Sequence, residues 1–113
     1  MQLTNAEREV SLHLGFGHYS AKPAKLLAEQ IGLHEREIRH AIESIRRKGI
    51  IILNLQDGWG YFYPKFEDSD NATMFGELLS QYRATKSRIR SLEIQNSYLR
   101  NMLLKNEIIS EDE

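Results

Sequence analysis

The sequence predicts a mainly α-helical chain with a small β-hairpin and a long C-terminal helix of coiled-coil type. Three observations carry this reading. Before Gly49, apolar residues recur at helical spacing in three short segments, each with its own start or stop signal. At Ile50 the period changes, and β-branched and aromatic runs flank an Asp57-Gly58 turn. From Phe75 onward, seam positions alternate in steps of three and four without a slip.

The first helix opens at Thr4-Asn5-Ala6-Glu7, which reads as a capping box: the Thr4 hydroxyl accepts from the Glu7 amide, and the Glu7 carboxylate reaches back to the Thr4 amide. Val10 and Leu14 form its apolar side, and Gly15-Phe16-Gly17 stops it. The second helix starts near Pro23, whose fixed φ suits a first turn. Leu26, Leu27 and Ile31 supply its apolar face, and Gly32 suits the left-handed position after its end. Only Leu33 and His34 separate it from a third helix opening at Glu35. There Ile38, Ala41, Ile42 and Ile45 step by three, one and three. Arg46-Arg47-Lys48 put positive charge at its C-terminus, where the helix dipole favours it, and Gly49 ends it. Ile50 to Leu55 then reads as one strand, Gln56 to Gly60 as a turn, and Tyr61-Phe62-Tyr63 as a second strand closed by Pro64. Alternation along the second strand sends at least one aromatic into the core. Trp59, between two glycines, is either an exposed contact residue at the tip or a lid folded onto the hairpin.

In the last third, Phe75, Tyr82, Ile89, Asn96 and Leu103 fall at a positions, and Leu78, Thr85, Leu92 and Leu99 at d. A β-branched a residue with leucine at d favours two parallel strands, and one asparagine at a fixes register. Arg88 at g precedes Glu93 at e by five residues, the relation of an interchain bridge in a parallel pair, and Gln95 and Arg100 repeat it. The expected dimerisation residues are Leu78, Tyr82, Ile89, Leu92, Asn96, Leu99 and Leu103. A lone amphipathic helix packed on its own domain is the other reading, opposed by the narrow stripe and the length of the segment.

At 113 residues and 13.2 kDa, the chain holds one small domain and an appendage. It has no cysteine, which excludes disulfides, thiolate metal sites and cysteine nucleophiles. His13, His18, His34 and His40 show no metal-ligand pairing, no phosphate-cradling glycine loop occurs, and no carboxylate pair or nucleophile elbow stands out, so neither enzyme activity nor a cofactor is expected. No apolar run is long enough to span a membrane and no signal pattern opens the chain, so a cytoplasmic location is expected. The net charge of −1 hides a division: residues 20–66 carry eight basic and five acidic side chains, and residues 67–113 six basic and nine acidic.

Residues Leu27 to Ile50 resemble the helix-turn-helix core of bacterial winged-helix regulators, with Leu27-Ala28 before the turn, Gly32 at its start, three aliphatics on the third helix and Lys48-Gly49 before the hairpin. Gly60-Tyr61-Phe62-Tyr63 resembles the end of their wing. The pattern over residues 20–100 is similar to small prophage-type winged-helix proteins in which one long helix follows the wing. One departure is His34, which stands where Ser or Thr usually caps the third helix; either Glu37 compensates or His34 makes contacts. The resemblance implies a winged helix-turn-helix domain, placed at 1–66; the charge division marks an acidic linker at 67–71 and an acidic tail at 107–113, and the three–four spacing a coiled-coil dimerisation helix at 72–106.

A helix fits the B-form major groove and presents its N-terminal half to base edges. With the aliphatics inward, Glu35, Arg36, Arg39, His40 and Glu43 face outward. Arg36 or Arg39 can pair with guanine and Glu35 can accept from cytosine. Lys22, Lys25 and Lys65 are expected near phosphates, and His34 and Trp59 at the edges of the same surface. Arg83, Lys86, Arg88 and Arg90, with no acid between Leu78 and Leu92, either reach flanking DNA or serve solubility and g/e pairing. The expected function is sequence-specific binding of double-stranded DNA as a homodimer, in a phage or bacterial transcription regulator. The alternatives are a winged-helix protein–protein adaptor, or the DNA-reading part of phage replication or packaging.

Overall fold

The computed structural model describes residues 2–67 and 71–113; Asp68, Ser69 and Asp70, the middle of the expected acidic linker, lie outside the described residues. The elements are α1 (Asn5–His13), a 3-10 turn (His18–Ser20), α2 (Ala24–Ile31), α3 (Glu35–Arg47), β1 (Leu53–Asn54), β2 (Tyr61–Phe62) and α4 (Ala72–Lys105). The chain is mainly helical, with a small two-stranded antiparallel sheet and a long C-terminal helix.

Two units are distinct, Met1–Gln81 and Tyr82–Glu113. The first is built around α3. Ile38, Ala41, Ile42 and Ile45 are buried against Val10 and Leu14, Ala24 and Leu27, and Ile52. Each large aliphatic fully buried contributes roughly 1.5–3 kcal/mol, so α3, with three of them on one stripe, anchors α1, α2 and the hairpin together.

The caps hold the helices in register with that core, in two cases differently from the sequence reading. At α1 the Glu7 amide donates to Thr4 Oγ1 at 3.2 Å. The reciprocal half of the box is replaced: the Glu7 carboxylate is buried and accepts from Ser44 Oγ at 3.0 Å and from Lys48 Nζ. A carboxylate removed from water is held better by an ammonium and a hydroxyl than by one more amide. Pro23 is the N-cap of α2 rather than part of its first turn, and Gly32 caps the other end at φ 86°. At α3 the His34 amide donates to Glu37 Oε1 at 3.2 Å, so Glu37 supplies the cap.

The hairpin pairs Leu53 with Phe62 and Asn54 with Tyr61. Its strands are shorter than the runs in the sequence because the Ile52 carbonyl is taken out of the ladder. It accepts from Arg46 Nε at 3.0 Å and Nη2 at 2.8 Å. The free edge of β2 is covered instead by the segment before α2. Tyr61 exchanges two backbone bonds with Lys22 (3.0 and 2.8 Å), and Tyr63 bonds Gly15 and Gly17 (both 2.8 Å). Phe62 is fully buried, while Tyr61 and Tyr63 are half-buried against the core from the other face, so both faces of the aromatic run pack.

The first turns of α4 belong to the first unit, beyond the boundary expected at residue 66. Met74 is buried, Leu78 is half-buried, and Gln81 Oε1 accepts from the Asn54 amide at 2.9 Å. In the second unit α4 continues to Lys105 and the acidic tail turns back. The Glu107 and Ile108 amides donate to the Leu104 and Leu103 carbonyls at 3.1 and 2.9 Å, with Glu107 at φ 60°. This satisfies carbonyls that a helix end leaves open. Arg100 then holds the tail, donating from Nε to the Glu113 carbonyl (2.9 Å) and from Nη2 to that of Glu111 (3.1 Å).

Candidate nucleic-acid interface

The buried stripe of α3 leaves Arg36, His40, Glu43 and Arg47 on the opposite, exposed face. The three bases at the end of α3 are divided among different tasks. Arg46 bonds the Ile52 carbonyl, pairs with Glu43 at 2.7 Å and stacks 5.6 Å from the Tyr61 ring centroid, so it pins the hairpin. Lys48 pins α1 through Glu7 and the Gln2 carbonyl. Its ammonium, ahead of the opposing effect of burial, holds the Glu7 carboxyl below the usual carboxylate range. Arg47 has no ion-pair partner among the described residues, and neither has Arg36. Arg47 was missed by the sequence reading, although its spacing from Arg36, His40 and Glu43 puts it on their face.

Arg39 lies on the flank of α3 toward the hairpin and is paired with Glu35 at 3.0 Å. It lines a groove with Pro23 and Ala24 at the start of α2 and with Asn54, Gln56 and Tyr61 of the hairpin. Two walls of that groove are therefore α3 and the hairpin turn. On the other flank, Arg36 and His40 line a second groove with Thr4, Ala6 and Glu7 of α1.

The hairpin turn is held by its own side chains. Asn54 Oδ1 accepts from the Gln56 amide at 2.9 Å, and Asp57 Oδ1 from the Trp59 amide at 3.1 Å. The second oxygen of Asp57 lies 2.7 Å from His18 Nε2. The Trp59 amide bond, followed by the His18 contact, keeps the Asp57 carboxyl below its ordinary range against the effect of burial. Trp59 is half exposed, with its ring 5.3 Å from that of His18. The two sequence alternatives for Trp59 thus merge: it leans on His18 and still presents a face to solvent. His18, for which the sequence shows no metal-ligand pairing, is a brace for the turn; nothing local in sequence marks it, because Asp57 is far along the chain.

The lysines divide. Lys25 is exposed, with no ion-pair partner among the described residues. Lys22 Nζ donates to Gln30 Oε1 at 3.1 Å. Lys65 is engaged by Tyr19, donating to its hydroxyl at 2.9 Å and standing 5.0 Å over its ring, which raises the Lys65 pKa. His34 is exposed at the N-terminus of α3.

In the second unit the expected seam is open. Ile89, Leu92 and Leu99 are 51–62 % exposed, Tyr82 and Asn96 are exposed, and Leu103 is 39 % exposed. Ile89, Leu92, Asn96 and Leu99 line one shallow groove along the helix with Glu93 and Gln95. Leu78 is separate, lying half-buried in the first unit. The tail engages Nε and Nη2 of Arg100 and not Nη1.

Among the described residues no cluster of His, Asp or Glu could hold a metal, and no helix is long and apolar enough to cross a membrane. Compared with known proteins, the chain matches no family model, no curated protein and no solved structure.

Proposed function

We propose that the protein binds double-stranded DNA as a homodimer, through a winged helix-turn-helix in the first unit and a parallel coiled coil in the second. In this reading α2, the turn at Gly32 to His34 and α3 are the helix-turn-helix, and the hairpin is the wing. The observation that carries it is α3 itself. Four residues of one stripe are locked in the core, and the opposite face presents Arg36 and Arg47, without ion-pair partners among the described residues, beside His40. Unpaired guanidinium groups on a fixed helix suit bidentate contacts to guanine or to phosphate. Arg39 is the second reader: its bond to Glu35 is exposed and contributes little, so exchange for a base edge is inexpensive. The analogy to other winged helices supports the fold more than the target. A phage or bacterial transcription regulator is the role this arrangement fits.

The test is binding of the purified protein to duplex fragments by fluorescence anisotropy. Arg36→Ala and Arg39→Ala are each expected to cost roughly 1–3 kcal/mol and to relax preference at one base position. Arg47→Ala is expected to weaken all duplexes alike and to reduce the salt dependence. Unchanged binding by the Arg36→Ala/Arg39→Ala variant, with helicity intact, would refute the reading and favour a protein partner for this face.

A further inference from the structure

Arg39, Arg46, Lys48 and Lys65 in the first unit are each matched by a carboxylate. The opening turns of the second unit are different. Arg83, Lys86, Arg88 and Arg90 are exposed, and none has an ion-pair partner among the described residues. No acid occurs between Leu78 and Leu92. Glu93, three residues beyond Arg90, is not bridged to it. The coiled coil accounts for only one of these cations. Arg88 at g meets Glu93 at e of the second copy, but Lys86 at e meets the g position one heptad earlier, which is Gln81. Gln81 carries no charge, and its Oε1 already accepts from the Asn54 amide at 2.9 Å. Arg83 and Arg90 fall at b, outside the seam. At about 100° per residue, Arg83, Lys86 and Arg90 lie within an arc of about 60°, in a row about 10 Å long. Lys86 Nζ stands 5.9 Å over the Tyr82 ring, which steadies the side chain and leaves its charge in place.

We infer that Arg83, Lys86 and Arg90 form a row that binds phosphates of duplex DNA beyond the half-site met by α3. The inference rests on the DNA binding proposed above and adds a second, sequence-independent contact to it. Charge complementarity identifies the occupant. A helix face that meets only water is served as well by mixed charges, which avoid the repulsion of like charges three and four residues apart. Cations without an acid instead match a strand that carries one phosphate for about every 3.4 Å of duplex axis, so a row of this length faces about three phosphates. Arginine at both ends suits bidentate phosphate contact, and lysine between them supplies a point charge. Continuity favours duplex DNA over other polyanions. α4 is one unbroken helix, and Arg83 comes two residues after Gln81, by which the hairpin holds it, so the row begins where the proposed DNA-binding unit ends. Phosphate contacts carry no sequence information. The row therefore adds affinity and lengthens the footprint without changing the preferred site.

Anisotropy measurements with the full chain test this, on duplexes that carry the site it selects from a random pool, with and without flanking base pairs. Arg83→Gln/Lys86→Gln/Arg90→Gln is expected to weaken binding to the flanked duplex roughly tenfold or more at moderate salt. The slope of log affinity against log salt is expected to fall by about one for each cation removed. The selected site and the sedimentation of this variant are expected to match the wild type. Trimming the flanks is expected to weaken the wild type and to leave the variant unchanged. Arg83→Lys/Arg90→Lys, which keeps the charge, is expected to retain the slope, and Lys105→Gln, at the far end of α4, to leave it unaltered. A triple variant with wild-type affinity and slope overturns the inference, leaves the reading of α3 standing and turns the row toward an acidic protein or lipid surface. A wild type indifferent to flank length also overturns it. A loss for Lys105→Gln equal to that per residue of the triple variant assigns the effect to net charge and overturns the row. A shifted site in the triple variant overturns the phosphate role, and a monomeric triple variant places the row in the seam instead. A wild type that binds no duplex overturns both readings.

Discussion

Replacing Gly60 tests how the hairpin is fastened. The residue sits at φ 102°, and a Cβ built there would lie 2.2 Å from the Lys22 carbonyl carbon and 2.3 Å from its oxygen and from the Pro23 nitrogen. These are backbone atoms at the entry to α2, so nothing nearby can swing aside. Gly60→Ala must push the hairpin off Lys22 and break the two Lys22–Tyr61 bonds (3.0 and 2.8 Å). Two such bonds contribute roughly 0.5–1.5 kcal/mol each, and the strained backbone adds about 1–3 kcal/mol. A loss of about 2–6 kcal/mol follows from these terms, a large share of the stability of a small domain. Gly58 is the control. Its φ is 89°, but nothing lies within 4 Å of the added atom. Gly58→Ala therefore bears only the left-handed penalty of roughly 1–2 kcal/mol. Gly76, in α4 with open space around it, is the opposite control: Gly76→Ala is expected to stabilise by up to about 1 kcal/mol. Urea unfolding of the three variants, followed by Trp59 fluorescence and far-UV dichroism, gives the ranking. Equal losses for Gly60→Ala and Gly58→Ala would refute the close approach of the hairpin to Lys22.

The buried Glu7 makes stability depend on pH. Its pKa is lowered in the folded chain, chiefly by Lys48, so its contribution is full above the unfolded carboxylate pKa and is lost as pH falls through the folded value. Glu7→Gln is expected to lower stability at neutral pH and to flatten the acid limb of a denaturation-against-pH curve; an unchanged acid limb would contradict the pairing. Asn96→Leu is expected to raise the melting temperature of the dimer while broadening its range of oligomers, because the polar pair no longer penalises other registers. A single, unchanged oligomer on sedimentation would remove Asn96 from the seam. Leu92→Asp with Leu99→Asp is expected to give monomers with the first unit folded, and DNA binding weakened by loss of the tethered second half-site. Full DNA affinity in that variant would show that one unit suffices.

Much of the fold was legible because its signals are local. Gly32, Gly49 and the period of Ile38, Ala41, Ile42 and Ile45 mark α2, α3 and the turn between them without any distant contact. The three–four spacing after Phe75 likewise marks α4. What escaped depends on partners far along the chain. Glu7 reads as a cap until Lys48 and Ser44 reach it from α3. His18 has no role in the sequence until Asp57 arrives beside it, and Arg46 is indistinguishable from Arg47 until the Ile52 carbonyl claims one of them. The same limit hides the ties between the start of α4 and the first unit, among them the Asn54–Gln81 bond and the burial of Met74. Of the expected DNA-contact residues, those on α3 share a face or its flank, and Trp59 keeps an exposed side. Lys65 is committed to Tyr19 instead, a pairing that no spacing rule announces.

We propose that α3 reads DNA from a two-fold assembly. It is tested most directly by selecting duplexes from a random pool with the full-length protein, at low and at moderate salt. The expected result is enrichment of a two-fold symmetric site, with half-sites spaced by whole helical turns, an affinity that falls as salt rises, and loss of the motif in Arg36→Ala/Arg39→Ala. Recovery of no sequence, or of duplexes held equally by that variant, would contradict it.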